Sequence, residues 1–238
     1  MAQPKFSIVT VCYNAGDKLY ETIKTALKQD YSNFEIIIKD GLSKDDSLSK
    51  VPKDDRISVY SYKDKGIYDA MNKGIGIAKG TLIGIVNSDD WYEENTVEQV
   101  VRYYQGNSCE VVYGMQRTYL NGKEKATFIY HHDFLPEQMI THPTCFVTKD
   151  AYKELGVFDL KYRSAADYDL MLRFYESKKV VFTPVYQVLS NFQLGGMSSS
   201  QVGVRENATI RYERGCMSKK KYYFIMVKSH IYEWMNKR

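Results

Sequence analysis

Three things are scarce in this chain, and each scarcity closes off a class of protein. Cysteine is one: only Cys12, Cys109, Cys145 and Cys216 occur among 238 residues, with no CxxC pair and no Cys/His cluster. That argues against a disulfide framework or a zinc module and suits a reducing compartment. Long apolar runs are another. None approaches the ~18–20 residues of a membrane span, and the opening MAQPKFSIVTVCYN carries no extended apolar stretch before a cleavage site, so secretion is not expected. Charge of one sign is the third. The net charge is only +4, with its bias toward the C-terminal end, and no nucleic-acid partner is expected.

What is present is enough apolar residue, 44%, to build a core in one domain or in one domain with an appendage. The 21 tyrosines are expected mostly at half-buried positions rather than stacked on sugars. The run Leu82-Ile83-Gly84-Ile85-Val86 is short, β-branched and bounded by Gly80, so it reads as a buried strand. It ends abruptly in Asn87-Ser88-Asp89-Asp90. Two adjacent carboxylates at the end of a buried strand are costly if unpaired. A divalent cation would offset that cost; an acidic turn capping the next helix is the plainer reading.

Strand patterns at Phe6 to Tyr13, Phe34 to Lys39, Ile57 to Ser61 and Glu110 to Tyr113 alternate with helical spacing over Lys18 to Gln29, Asp64 to Lys79 and Thr96 to Tyr104. The alternation predicts a mostly parallel, Rossmann-like α/β sheet with helices on both faces. After Gly114 the pattern loosens. A hairpin is expected to turn at Asn121-Gly122, with a short helix over Pro136 to Ile140, a strand over Cys145 to Thr148 and a helix over Asp150 to Leu155. A helix over Ala166 to Glu176, a strand over Val180 to Thr183, a Gly/Ser-rich loop from Gln193 to Gln201 and a helix over Val202 to Arg214 follow. The glycines of Gly74-Ile75-Gly76-Ile77-Ala78-Lys79-Gly80 close a helix and open a strand, the reverse of a dinucleotide fingerprint, so helix capping and close packing account for them.

Three polar segments follow predicted strands: Thr10/Tyr13/Asn14, Asp40/Ser43/Asp45 and Asn87/Asp89/Asp90. In a parallel sheet those strand ends share one edge, where such folds bind ligands. The set suits a nucleotide diphosphate, with Tyr13 stacking on a base, Asp40 accepting from a base N–H, and Asp89/Asp90 holding a metal.

The order SIVTVCYNA, IIIKDGLSKDDS, DKGIYDAMNKGIGIAKGTLIGIVNSDD and HPTCFVTKDAYKELGVFDLKYRSAADYDLMLR resembles the family 2 glycosyltransferases of GT-A fold, especially bacterial enzymes that assemble surface polysaccharides such as lipopolysaccharide. The resemblance implies an inverting transferase that moves a sugar from a nucleotide-diphosphate donor, a UDP-sugar, to a glycan or lipid-linked acceptor with Mn²⁺ or Mg²⁺. It places Thr10, Tyr13, Asn14, Asp40, Ser43, Asp64, Asn87 and Asp89 at the nucleotide, and Asp89 and Asp90 at the metal. Asp167 becomes the general base, in the position of the second acid of an "ED" pair; without the family pattern it would read as a helix cap. Gly195, Gly196 and Ser198 belong to a loop closing over the diphosphate, and His142 lines the acceptor or metal pocket, a packed histidine being the alternative. Asn87 replaces the first acid of a DxDD motif, Ala166 replaces the Glu of "ED", Leu42 stands where Gly or Ser is usual, and Tyr62 replaces a Glu. Lys65 and Arg173 are expected to be solvated or structural, with phosphate contact the alternative.

The division expected is a nucleotide-sugar half over 1–113, an acceptor half over 114–210, and a basic amphipathic extension over 211–238. Lys219-Lys220-Lys221 beside Tyr222 to Val227 suits a helix on an anionic membrane, with core packing or a homodimer contact as alternatives. A cytoplasmic protein at the inner face of the cell membrane is the corresponding location. A sugar nucleotidyltransferase is disfavoured because Tyr13-Asn14-Ala15-Gly16-Asp17 lacks a basic Gly-rich loop. A non-catalytic sugar-binding module is disfavoured by the retained acids.

Overall fold

The computed structural model describes residues 3–195 and 200–236. Its first half is built from β1 (Phe6–Cys12), α1 (Asp17–Leu27), β2 (Phe34–Asp40), β3 (Ile57–Ser61), α2 (Ile67–Ile77) and β4 (Leu82–Asn87). The second half holds β5 (Trp91–Tyr92), α3 (Thr96–Tyr103), β6 (Glu110–Leu120), β7 (Lys123–Phe128), β8 (Cys145–Thr148), α4 (Lys149–Leu155), α5 (Ala166–Ser177) and β9 (Val181–Gln193). Two helices end the chain, α6 (Gln201–Glu213) and α7 (Lys219–Asn236).

One nine-stranded sheet runs β3-β2-β1-β4-β8-β6-β9-β5, with β7 paired to β6. The first four strands are parallel, which is why β1 and β4 read as continuous apolar runs: both of their faces are covered. Val9, Val11, Ile37 and Ile85 pack with α2, α4 and α5 on one face. Phe6, Ile8, Ile36 and Ile38 pack with α1 and α3 on the other. This is a mixed α/β sheet with helices on both faces. The parallel order breaks at β8, which runs antiparallel to both β4 and β6.

Only Ser88, Asp89 and Asp90 separate β4, in the middle of the strand order, from β5 at its far edge. Four residue steps span at most about 14 Å, so the sheet curls until its far edge returns to the end of β4. The curl has a local cause. The long strands β6 and β9 shift register around Gly114 and Met115, and a Cβ on Gly114 would lie 2.5 Å from Leu189 Cδ1.

Four elements differ from the sequence expectation. Pro136 to Ile140 forms turns, not a helix; the helical bonds available there end at Glu137 and Gln138 on Phe134. β6 and β9 are far longer than the four-residue stretches expected, because Pro184 and the polar residues of β9 hide a strand whose pairing comes from β6. The glycine-rich end of α2 is capped by Ala78 rather than by glycine. Close packing does hold: a Cβ on Gly74 would sit 2.4 Å from Val9 Cγ1. The hairpin turns at Asn121-Gly122 as expected, both residues at positive φ. All four cysteines are free.

Candidate active site

Register brings the strand ends together. Cys12 lies level with Asp40, Asp40 with Ser61, and Val11 with Asn87. The loops that follow β1, β2, β3 and β4 therefore leave the same sheet edge.

The first two loops are laced to each other. Asn14, at φ 50°, donates its N–H to Ser43 Oγ at 2.8 Å, and its Oδ1 accepts from the Lys44 N–H at 2.8 Å. Asp40 is 0% exposed. It accepts from the Ser43 hydroxyl at 2.5 Å, the Ser61 hydroxyl at 2.5 Å and the Leu42 and Ser43 amides. Burial pushes its carboxyl up, but these donors outweigh burial and hold it below its ordinary value. Asp40 thus organises the loop, and a ligand base would have to exchange for one of these bonds. Thr10 departs further from expectation: it is fully buried between β2 and β4, its hydroxyl without a partner among the described residues.

At this edge Tyr13 is 64% exposed and the Asp64 side chain 16% exposed. A Cβ on Gly41 would fall 2.9 Å from Asp64 Oδ2 and 3.3 Å from the Tyr13 ring, so glycine allows the ring and the carboxylate to share the cleft. Lys39, which sequence reasoning missed, is fully buried beneath them. Its ammonium donates to Asp64 Oδ2 at 3.1 Å and to the Tyr62 carbonyl at 2.6 Å, and lies 4.4 Å from the Tyr62 ring centroid. Tyr62, in place of an acid, gives that lysine an aromatic face. The one sequence signal for Lys39 is its place at the end of a strand expected to be covered on both faces; its partners come from the loop after β3.

The diacid loop divides its labour. Thr22 on α1 donates to the Asp90 carbonyl at 2.8 Å and pins the turn. Asp90 is 1% exposed and accepts from the Gln193 N–H at 3.0 Å and the Asn87 amide at 3.3 Å. Burial, resisted by the Gln193 amide and assisted by the charge of Asp89, pushes its carboxyl up to about 7. The side chain of Asp89 is 35% exposed, 3.8 Å from the Lys18 ammonium. Asn87 Oδ1 is buried without a partner among the described residues. A cavity of about 800 Å³ opens between Thr22, Asp89, Asp90, Trp91 and Gly195. Two carboxyl groups lining one cavity offer the oxygen ligands that a hard divalent cation takes. Among the described residues the one group of three close ligands is elsewhere, at His131, His132 and Asp133.

Asp167 stands in the first turn of α5 and accepts from the Tyr68 hydroxyl at 3.0 Å. Ala166, where an acid would complete the pair, is fully buried. Glu206 on α6 accepts from the amides of Arg163, Ser164 and Ala165, fixing the approach to the helix. His142 is 9% exposed and meets Phe158 edge-on at 5.4 Å. Burial lowers its basicity, against the field of Asp167. Arg173 is structural, bound to Asp169 and to the Leu155 and Val157 carbonyls. The Lys65 side chain is exposed. Gly195 takes φ 104° at the end of β9; Gly196 and Ser198 lie outside the described residues.

The model of "Glycosyl transferase family 2" matches residues 7–160, most of the sheet and its first loops. The chain belongs to that family. Among curated relatives, a "PGL/p-HBAD biosynthesis glycosyltransferase" of Mycobacterium bovis is 28% identical over 213 residues, covering 85% of this chain and 82% of the relative. "Glycosyltransferase GlyG" of Streptococcus pneumoniae is 36% identical over 142 residues, 56% of this chain and 46% of that one. Among solved structures, S. aureus TarS 1-349 in complex with UDP-GlcNAc superposes with a TM-score of 0.68 at 17% identity, over 87% of this chain and 66% of TarS. That likeness shows the GT-A fold. In this glycosyltransferase Lys39 and Tyr62 are bonded beneath the Tyr13/Asp64 cleft, and Tyr68 is bonded to Asp167.

Proposed function

We propose that the protein transfers a sugar, with inversion, from a UDP-sugar to a hydroxyl of a glycan or lipid-linked acceptor during bacterial surface-polysaccharide assembly. One observation carries the reading. The diacid loop after β4 and the Tyr13/Asp64 cleft open on the same sheet edge as α2, whose first turn reaches Asp167. In this reading residues 1–113 hold the donor and 114–210 the acceptor. Tyr13 stacks on the base and Asp64 accepts from it, with Asn14 and Ser43 shaping the wall. Asp167 takes the acceptor hydroxyl's proton as the new bond to the anomeric carbon forms and the bond to the diphosphate breaks. Asp89 and Asp90 would hold Mn²⁺ or Mg²⁺, which when bound supplies charge neutralisation for the leaving diphosphate.

The test is UDP release across a panel of UDP-sugars with Mn²⁺ and candidate acceptors. Asp89→Ala and Asp167→Asn are expected to lower turnover by about 10²–10⁴-fold while remaining folded. Full turnover in either variant would refute its assigned role, and nucleotide binding without turnover on any acceptor would favour a binding module.

The same proposal seats α7 on an anionic membrane surface, where a lipid-linked acceptor would be met. The helix attaches to α6 through Arg205, which bonds Glu233 at 2.9 Å and Ser229 at 3.0 Å, and through Tyr222 stacked on Tyr212 at 4.6 Å. Its apolar residues lie on two sides, so it is not the simply amphipathic helix expected. Tyr222, Ile225 and Met226 are half-buried, while Phe224, Val227, Ile231 and Met235 form an exposed stripe flanked by Lys220, Lys221 and Lys228. No helix among the described residues is long and apolar enough to cross a membrane.

A further inference from the structure

Tyr68 and Asn72 are one helical turn apart on α2, so both project from the same face. That face meets the segment leading into α5. The Asn72 side chain clamps the backbone of Phe158 from both sides, donating to its carbonyl at 2.9 Å and accepting from its N–H at 3.0 Å. The Phe158 ring, almost fully buried, lies 5.3 Å from the Tyr68 ring and meets His142 on another side. The Tyr68 ring is therefore held against a neighbour that is itself fixed at the backbone. From that support its hydroxyl reaches Asp167 Oδ1 at 3.0 Å. Glu206 binds three consecutive amides just before Asp167.

We infer that Tyr68 is a positioning residue for Asp167: its hydroxyl holds one carboxylate oxygen and leaves the other for the acceptor hydroxyl. The inference rests on the reading of Asp167 as the base. Burial, together with the charge of Asp167, raises the Tyr68 phenol far above its ordinary value, so it stays protonated and donates at any working pH. A carboxylate tethered at one oxygen loses rotational freedom that it would otherwise have to give up on reaching the transition state. The same helix starts at the loop of Asp64 and Gly66. A single rigid element thereby ties the donor cleft to the base.

Steady-state kinetics of Tyr68→Phe on a productive donor–acceptor pair, with UDP affinity by calorimetry and thermal unfolding alongside, test this. The substitution keeps the ring and its packing on Phe158. Expected is a fall in kcat of about ten- to a hundredfold, with donor KM, UDP affinity and melting temperature unchanged. An unchanged kcat would overturn the inference. So would a parallel loss of UDP affinity and melting temperature, which would make the bond a structural tie between α2 and α5. Asp167→Asn in the same assay separates the two ideas: its full activity would sink the base assignment itself, whereas an inactive Asp167→Asn beside a fully active Tyr68→Phe would sink only the positioning role.

Discussion

Leu42 carries a backbone conformation that its side chain opposes. It sits at φ 68°, in the left-handed region, between Gly41 and Ser43, with its side chain 48% exposed. That conformation costs a residue with a Cβ roughly 1–2 kcal/mol. It is imposed by the bonds of Asp40, which accepts the Leu42 and Ser43 amides and both neighbouring hydroxyls. Glycine at this position would relieve the strain, and its greater unfolded-state freedom returns part of the gain. Leu42→Gly should therefore stabilise the protein by roughly 0.5–1 kcal/mol. A urea titration would read this as a higher midpoint at unchanged slope, and a lower midpoint would mean that Leu42 makes contacts worth more than its strain. Lys39 shows the same principle from the other side. A fully buried ammonium persists because the carbonyls of Asp40 and Tyr62, the Asp64 carboxylate and the Tyr62 ring surround it.

At the scale of the element, α2 joins the donor-side loop of Asp64 and Gly66 to Asp167. Two of its glycines, only two residues apart in sequence and so on opposite faces of the helix, predict opposite responses to the same change. Gly74 faces β1, where an added Cβ would meet Val9 at 2.4 Å. Gly76 faces open space, with nothing within 4 Å. Gly74→Ala should destabilise by about 1–3 kcal/mol through overpacking. Gly76→Ala should stabilise by about 0.5–1 kcal/mol through helix propensity. Chemical denaturation of the two single variants decides the matter, and equal effects would show that helix–sheet contact does not set the glycine at Gly74. Displacement of α2 by Gly74→Ala would also move Tyr68 relative to Asp167, since both Tyr68 and Asn72 ride on that helix.

For the whole molecule, the curl of the sheet and the placement of α7 matter most. The curl carries β5 and the end of β9 back to the diacid loop, where the Gln193 amide takes Asp90 as its acceptor. α7 extends the fold through α6, and its exposed stripe with flanking lysines predicts binding to acidic lipid. Each lysine near such a surface contributes about 1 kcal/mol, and the attraction weakens with salt. Flotation with vesicles containing phosphatidylglycerol should carry the protein upward at low salt. Vesicles of phosphatidylcholine alone should not, and Phe224→Ser with Ile231→Ser should abolish the effect. Absence of flotation on acidic vesicles would remove the membrane from the proposal, and concentration-dependent mass in light scattering would point to a homodimer on this face.

The sequence by itself determined the parallel first half, because strands covered on both faces must be largely apolar, as β1, β4 and the Ile36–Ile38 run of β2 are. It also determined the Asn121-Gly122 hairpin, whose turn needs two positive φ angles, and the family, through the order of its strand-end loops. Tertiary structure decided what periodicity cannot carry. The length of β9 comes from its pairing with β6 rather than from its own pattern. The burial of Thr10 and Asp40 follows from their neighbours in the sheet, not from their type. The bond from Tyr68 to Asp167 joins residues 99 apart in sequence. Local pattern records which face of an element is apolar; which residue on another element fills the space opposite is settled only when the elements pack.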